Sequence, residues 1–188
     1  QKEYLRYALK KITENRSNVE AYITGLLDSG IIEDVYVDDD GVWTIKSEIV
    51  NFSFQAADVY YKNQPEILSY IQNEEGRKRG CHKNAEFLLR SLSLYGEGGE
   101  AVTAKLKNAV GIEFYHSYYR QNGKIIDLNN NVVMTEEDYN RLYQPEIISV
   151  VTYEEYKQKC EEVKTKATST LMPLLEIAAY KEYTGEAR

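Results

Sequence analysis

The stretch EFYHSYYRQNGKIIDL, which runs from Glu113 to Leu128, decides the fold of the core. Its Asn122-Gly123 step is typical of the tight turn of a β-hairpin, because both residues tolerate a positive φ. The runs on either side are rich in aromatic and β-branched residues and predict two antiparallel strands over 112–120 and 124–128.

One histidine and one aspartate flank this turn at nearly equal distance. His116 precedes it by five or six residues and Asp127 follows it by about as many. Because residues equidistant from a hairpin turn face each other, we expect the two side chains to be neighbours on one face of the sheet. A carboxylate beside an imidazole sets its tautomer and supports its charged form.

Upstream lies the stretch EEGRKRGCHKNAEFLLRSL, from Glu74 to Leu92. It predicts a polar, glycine-containing loop followed by a helix that begins at Cys81. A thiol at the start of a helix lies near unpaired amides and the positive end of the dipole, which favours the thiolate. A thiolate, an imidazole and a carboxylate are the three groups that nucleophilic thiol catalysis uses.

The order of these groups resembles the transglutaminase-like branch of the papain-type cysteine enzymes, which includes bacterial transglutaminase-like proteins and peptide N-glycanases. RGCHKNAEFLLRSL is similar to the family's helix opening, with Gly80 directly before Cys81. His82 departs from the small or aromatic residue that is typical there. YHSYYRQNGKIIDLNNN is similar to the family's His strand, turn and Asp strand, with Ile125 and Ile126 where an aromatic residue is common.

The resemblance covers about residues 74–134 and implies a role for each residue of a triad. Cys81 would be the nucleophile, His116 the general base and acid, and Asp127 the orienting carboxylate. The Cys81 backbone amide would form part of an oxyanion hole. An upstream Gln or Trp would supply a second donor, and the candidates are Gln55, Gln64, Gln72 and Trp43.

The implied function is acyl transfer through a thioester on Cys81, with a protein or peptide as substrate. The acceptor would be water in a peptidase or amidase, or an amine in a transamidase. The alternative is a non-catalytic adaptor that keeps the transglutaminase-like fold and binds a protein or peptide partner.

Several of these residues have plainer interpretations. Asp127 can cap a turn formed with the asparagines of 129–131. His82 can be a solvated residue at the helix start, with its ring turned away from the thiol. A zinc set of both cysteines and both histidines matches no paired-ligand spacing, so we expect no metal and no cofactor. Cys160 is then a small packing residue of the last helix.

The whole chain predicts an α+β fold with a transglutaminase-like (papain-like) core and a mostly antiparallel sheet. We expect one domain over 1–188, with a helical and hairpin part over 1–73, the Cys-His-Asp core over 74–152 and a C-terminal helix over 153–188. Further predicted elements are helices over 3–11 and from Ser17 to Gly30, a hairpin turning at Asp40-Gly41, a strand or strand and short helix within 50–61, helices from Pro65 and from Thr135, a strand over 147–152, and an interruption of the last helix near Pro173.

The composition excludes some classes of partner. The formal net charge is −7 over 188 residues, so we expect no general binding to nucleic acid or to anionic membranes. The basic run Arg77, Lys78 and Arg79 is too short to change this. Two cysteines make no disulfide framework, and a free thiol favours the cytoplasm. Because the sequence begins at Gln1, a removed leader stays open, and the oligomeric state is not indicated.

Overall fold

The computed structural model describes residues 2–14, 19–47, 51–73, 80–94, 96, 98–108, 110–165 and 172–186. In these residues, eight α-helices pack on one eight-stranded sheet in which all neighbouring strands are antiparallel. The predicted α+β class and antiparallel sheet are therefore confirmed.

The helices and strands alternate irregularly along the chain. The helices are α1 (Lys2–Glu14), α2 (Val19–Asp28), α3 (Ala57–Tyr60), α4 (Pro65–Gln72), α5 (Cys81–Leu94), α6 (Glu136–Tyr143), α7 (Tyr153–Thr165) and α8 (Pro173–Thr184). The strands are β1 (Asp34–Val37), β2 (Val42–Lys46), β3 (Asn51–Ala56), β4 (Glu100–Lys107), β5 (Glu113–Gln121), β6 (Lys124–Asp127), β7 (Val132–Thr135) and β8 (Glu146–Thr152). Their order across the sheet is β1-β2-β3-β7-β6-β5-β4-β8.

The sheet separates two hydrophobic cores. Tyr118 and Tyr119 are consecutive residues of β5, and both are almost fully buried because successive side chains of a strand point to opposite faces. Tyr118 packs in the core under α1, α2 and α6, which includes Leu9 and Tyr139. Tyr119 packs in the core under α3, α4, α5, α7 and α8, which includes Leu89.

The predicted hairpin of β5 and β6 is confirmed. Gln121 pairs with Lys124 across a turn in which Asn122 has φ 50° and Gly123 has φ 73°. Strand β6 pairs only with the end of β5, from Tyr119 onwards, whereas β4 pairs along β5 from Glu113 to Arg120. Among the described strands, none therefore pairs with the first half of β5 on the side away from β4.

Most other predicted elements are present at nearly the expected bounds. The hairpin around Asp40-Gly41 joins β1 to β2, and the stretch after it is a strand that runs directly into the short helix α3. Pro65 occupies the first turn of α4, and the Thr135 hydroxyl caps α6 by accepting the Asp138 amide. A helix begins again at Pro173. The predicted cap at Ser17 and the basic run over 77–79 lie outside the described residues.

One strand was missed. The prediction ended the sheet strands of this region at Leu128, which is wrong, because Val132–Thr135 forms β7. This strand pairs with both β6 and β3 and joins the N-terminal hairpin to the rest of the sheet. Its first three residues are buried, so it has no polar alternation to distinguish it from a loop or a helix start.

Candidate active site

Cys81 is the first residue of α5, and the chain reaches it through a glycine. Gly80 has φ 94°, a left-handed conformation that a side chain would strain. The Gly80 carbonyl accepts the Asn84 amide at 3.1 Å and so opens the helix. The thiol is therefore placed beside the first-turn amides, which have no acceptor within the helix.

Helix α5 is held against the sheet by its apolar face and by α4. Leu88 and Leu89 are almost fully buried in the core that α5 shares with the sheet. The Tyr70 hydroxyl of α4 donates to Asn84 Oδ1 at 2.8 Å, and the rings of Tyr70 and Phe87 stack with centroids 3.7 Å apart. These contacts hold the first turns of α5, and with them Cys81, in place.

The structure brings the three predicted residues together. His116 Nε2 lies 2.8 Å from Asp127 Oδ2, and the side chains are 3% and 0% exposed. The Cys81 thiol lies close enough to His116 for each group to shift the pKa of the other. Because Nε2 faces Asp127, Nδ1 is the ring nitrogen left for the thiol. The side chains of His116 and Asp127 are neighbours, as expected, but the two residues do not face each other directly. The hairpin pairs Ile126 with Tyr119, so His116 lies two residues out of register with Asp127. The catalytic roles stay predictions.

Asp127 combines the two functions that the sequence left open. Its Oδ1 accepts the backbone amide of Asn130 at 3.2 Å, as expected for a turn cap. Its Oδ2 accepts His116 Nε2, Asn130 Nδ2 at 2.7 Å and the Tyr139 hydroxyl at 2.9 Å. We call His116, Asp127, Asn130 and Tyr139 the acidic network.

The acidic network determines the charge states of His116 and Asp127. Burial alone would lower the pKa of His116, but the Asp127 charge, the hydrogen bond to it and the thiol of Cys81 raise that pKa to about 10. Burial alone would raise the pKa of Asp127, and the positive charge and hydrogen bonds around it outweigh burial and lower that pKa. Asp127 therefore stays ionised although it is fully buried.

The same balance acts on the nucleophile. Burial favours the neutral thiol of Cys81, but hydrogen bonds and charge from His116, and secondarily from His82, lower the pKa of the thiol to about 5. A thiol with this pKa is a thiolate at neutral pH.

The interpretation of His82 as a solvated residue that points away from the thiol is wrong. His82 is near enough to the thiol to help lower its pKa, and His82 Nδ1 lies 2.7 Å from Ser117 Oγ. Ser117 Oγ lies 2.8 Å from Thr103 Oγ1. We call His82, Ser117 and Thr103 the hydroxyl row. Ser117 turns to the face of β5 that packs on α5, which is why it can hold the ring of His82.

Four residues of these clusters were missed as functional candidates: Asn130, Tyr139, Ser117 and Thr103. The asparagine run had been interpreted as a loop beside the site, which gave a partial signal for Asn130. Tyr139 lies on a different element from the hairpin, and Thr103 and Ser117 meet only through the pairing of β4 with β5. No local pattern in the sequence predicts these contacts.

Of the four candidates for a second oxyanion donor, three are engaged away from Cys81. Gln55 Nε2 donates to the Asp40 carbonyl at 2.7 Å, and the Trp43 ring stacks on Phe54. Gln64 lines a cavity at the turn of the β5–β6 hairpin, the opposite end of β5 from His116. The fourth, Gln72, is exposed at the end of α4. The structure selects none of them.

The second cysteine lies apart from this arrangement. Cys160 is in α7, where its thiol interacts with Tyr156 and it packs at the border of the core beneath α5. Across the described ranges, no group of three or more His, Cys, Asp or Glu side chains is arranged to hold a metal ion.

A cavity of ≈ 400 Å³ opens beside the acidic network. His116 and Asn130 form part of its wall, and α1 and the end of β4 form the opposite side. The buried ring of His116 thus borders a cavity on the α1 face of the sheet.

No protein-family model, curated protein or solved structure matches this chain. Function is therefore inferred from the residues and their geometry. None of the helices that the structure describes is long and apolar enough to cross a membrane.

Proposed function

We propose that this protein is a transglutaminase-like cysteine enzyme that transfers an acyl group from a protein or peptide through a thioester on Cys81. One observation carries the proposal: a helix-start thiol contacts a buried imidazole that is itself bound to a buried carboxylate. The order of the three residues, on a helix start and two consecutive strands, supports the transglutaminase-like assignment of the core.

The resting state of the proposed enzyme is an ion pair. With pKa values of about 5 for Cys81 and about 10 for His116, neutral pH lies between the two. Cys81 then carries a negative charge and His116 a positive charge. The thiolate is the reactive form of cysteine, so the nucleophile is ready before substrate binds.

In the first half-reaction the Cys81 sulfur attacks the carbonyl carbon of an amide. A C–S bond forms, and the electron pair of the carbonyl moves to its oxygen. When the tetrahedral intermediate collapses, the C–N bond breaks and His116 donates its proton to the leaving amine. The products of this step are a thioester on Cys81, a free amine and a neutral imidazole.

The second half-reaction reverses these roles. Water or an acceptor amine attacks the thioester carbonyl while His116 removes its proton. The C–S bond then breaks, the acyl group leaves as an acid or a new amide, and the thiolate and imidazolium are restored. The same two residues therefore serve hydrolysis and transamidation.

The start of α5 supplies the means to stabilise the oxyanion. The backbone amide of Cys81 belongs to the first turn of a helix and needs no acceptor within it. It lies next to the attacking sulfur, where negative charge develops on the carbonyl oxygen. A donor at this position, aligned with the helix dipole, lowers the energy of the tetrahedral intermediate.

Asp127 acts on the reaction through His116. Its hydrogen bond to Nε2 turns Nδ1 toward the sulfur and stabilises the imidazolium. Asn130 and Tyr139 hold the carboxylate in turn, so the acceptor that orients the ring of His116 is itself fixed. This is the arrangement that general acid–base catalysis requires.

Two measurements on the intact protein test the proposal. At pH 6, iodoacetamide should label Cys81 at least tenfold faster than Cys160, as followed by peptide mass mapping. With p-nitrophenyl acetate, the protein should gain the mass of one acetyl group on Cys81 and then lose it by hydrolysis. Cys160→Ala should leave both results unchanged, and Cys81→Ala should abolish acetylation.

Equal and slow labelling of the two cysteines would overturn the enzyme proposal and favour the adaptor alternative. Rapid labelling of Cys81 with a stable acetyl group that is never hydrolysed or passed to an amine would also argue against it. Addition of a simple amine such as glycinamide distinguishes the acceptors, since a transamidase forms acetylglycinamide and a hydrolase releases acetate.

A further inference from the structure

We propose that the cavity beside His116 binds a carboxylate on the leaving-group side of the substrate. The inference deepens the proposed function and rests on it. It assigns the chemical class of the substrate, an acyl donor with an anionic group beyond the amine that leaves.

The position of the cavity decides which part of the substrate would enter it. His116 forms part of the wall, and Cys81 is not among the described residues that line it. In the proposed reaction His116 gives its proton to the leaving amine, so the space against its ring lies beyond that amine. The acyl part, bonded to the sulfur, lies on the other side.

The charge of the lining identifies the group. Arg6 and Lys10 reach the cavity from one face of α1, four residues apart, and Lys107 reaches it from the end of β4. Besides His116, the described residues that line the cavity include three cations and no aspartate or glutamate. Glu113, which pairs with Lys107, and Glu146 line a neighbouring cavity that shares Arg6 and Lys107. Because the whole chain has a net charge of −7, this positive lining is local to the cavity beside His116. A concave wall of one sign of charge attracts ligands of the opposite sign.

The remaining walls supply apolar surface and hydrogen-bond donors. Tyr7 and Phe114 are 57% and 43% exposed, and both line the cavity. Phe114 is two residues before His116 and so lies on the same face of β5. Asn129 provides a polar group at the rim. A volume of ≈ 400 Å³ lies in the range of pockets for small ligands and suits a short peptide segment.

The charge of Arg6 lies against an aromatic ring in the cavity wall. The guanidinium of Arg6 lies 5.9 Å from the centroid of the Tyr143 ring, which keeps this charge at the wall of the cavity. Tyr143 itself lines the cavity, so the cation and the ring form one surface. A charged group next to a low-dielectric wall interacts more strongly with an anion than it would in open solvent.

The test compares two reagents that differ in charge. Iodoacetate and iodoacetamide alkylate the same thiolate, but only iodoacetate carries a carboxylate. The measured quantity is the rate of Cys81 alkylation by iodoacetate divided by the rate with iodoacetamide. We expect this ratio to fall roughly three- to tenfold in the double variant Lys10→Gln/Lys107→Gln, and to fall in the wild type as salt is raised. A change in the pKa of Cys81 affects both rates equally and cancels in the ratio.

A matched double variant controls for net charge. Lys62→Gln/Lys157→Gln also removes two positive charges, but at exposed positions outside the cavity lining. It should leave the ratio unchanged. Circular dichroism and thermal melting confirm that all variants are folded.

Protection by peptides identifies the source of the carboxylate. Three probes are compared for slowing the reaction of Cys81 with iodoacetamide: acetyl-Ala-Ala-Glu-amide, acetyl-Ala-Ala-Ala with a free carboxylate, and acetyl-Ala-Ala-Ala-amide. Protection by the first alone indicates an acidic side chain, and protection by the second alone indicates a chain terminus. Equal protection by all three, or none, overturns the inference.

The failure of this inference is distinct from failure of the proposed function. If Cys81 reacts rapidly with both reagents and the ratio is the same in the wild type and both double variants, the carboxylate site is wrong and the enzyme proposal stands. If Cys81 reacts slowly with both reagents, the proposed function itself fails.

Discussion

Two polar clusters meet at the Cys81 thiol, and they differ in charge. The acidic network begins at His116 and ends in a fully buried carboxylate with several donors around it. The hydroxyl row begins at His82 and continues through Ser117 to Thr103. Ser117 and Thr103 contribute hydroxyl groups, which carry no charge. His116 and Ser117 are consecutive in β5 and point to opposite faces of the sheet.

This difference explains why two histidines at one thiol are not equivalent. A buried imidazolium needs a nearby negative charge, and only the acidic network supplies one besides the thiolate. The hydroxyl row can orient the ring of His82 but cannot compensate its charge. We therefore expect His116 to hold and transfer the proton, and His82 to support the thiolate from the other side.

The largest expected effect comes from removing the charge of the acidic network. In Asp127→Asn the shape of the side chain is kept but the imidazolium of His116 loses its counter-charge. The hydrolysis of the acetyl group on Cys81 should slow by a factor on the order of 10² to 10⁴. Mass spectrometry of the acetylated protein over time measures this rate.

Asp39→Asn, a change at an exposed position of the β1–β2 turn, serves as the matched control and should hydrolyse the acetyl group at the wild-type rate. Hydrolysis in Asp127→Asn within threefold of the wild type, in a folded protein, would show that the carboxylate has no part in the reaction.

A smaller effect should separate the two histidines. At pH 6, His116→Gln should slow the reaction of Cys81 with iodoacetamide by roughly 10- to 100-fold, because each unit of pKa gained by the thiol above the assay pH costs a factor of ten in thiolate. His82→Gln should slow it by only about three- to tenfold, since His82 is the weaker of the two supports.

The full pH profile of alkylation sharpens this comparison. In the wild type the alkylation rate should reach half of its maximum at a pH of about 5. This midpoint should move to higher pH, and further in His116→Gln than in His82→Gln. Equal shifts in the two variants would mean that the hydroxyl row supports the thiolate as well as the acidic network does.

The thiolate of Cys81 should also change how the free energy of unfolding depends on pH. The folded pKa of Cys81 is lowered from 9.0 to about 5, so the thiolate contributes stability that is fully present above pH 9 and is lost as the pH falls toward 5. Relative to Cys81→Ala, the wild type should therefore gain stability between pH 5 and 9, by about 1–2 kcal/mol for a partly exposed group.

Urea unfolding of both proteins across this pH range measures the difference, in which the contributions of most other groups cancel. Cys160→Ala is the matched control for loss of a thiol. Parallel stability curves for the wild type and Cys81→Ala would contradict the ion pair.

The smallest effects should lie in the hydroxyl row. Ser117→Ala leaves both His82 Nδ1 and Thr103 Oγ1 without their shared partner and should destabilise the fold by about 1 kcal/mol. Ser149 faces Thr103 on the neighbouring strand β8 and is fully buried, and its hydroxyl has no hydrogen-bond partner among the residues that the structure describes. Ser149→Ala should be neutral or stabilising, by up to about 1 kcal/mol.

Urea midpoints of the two alanine variants provide the measurement, and each is the control for the other because the same atom is removed on either side of Thr103. A loss of stability in Ser149→Ala as large as that in Ser117→Ala would mean that Ser149 belongs to the row.

A structural feature could be predicted from the sequence when the residues that determine it are close together in the chain. The hairpin turn at Asn122-Gly123, the helix start at Cys81 and the proximity of the His116 and Asp127 side chains follow from residues close together in sequence, and the structure agrees with them. The strand β7 was missed because four residues, most of them buried, carry neither a helical nor an alternating pattern.

The second imidazole was misjudged for a related reason. Considered alone, a histidine next to a cysteine at a helix start is expected to turn its ring toward solvent. Its actual partner, Ser117, lies 35 residues away and is presented by a strand whose facing depends on the whole sheet. Spacing along the chain holds no information about such a contact.

The sequence by itself determined the elements and the chemistry they can offer: an antiparallel α+β chain with a helix-start thiol and an imidazole and a carboxylate on one hairpin. Short-range rules of turns, caps and strand pairing are sufficient for that. Tertiary structure alone decided that β6 pairs with β5 only beyond His116, that the start of α5 places Cys81 close to this imidazole, and that Tyr139 and Asn130 hold Asp127. These depend on packing between distant segments, because burial and charge are properties of the folded assembly and not of any one segment.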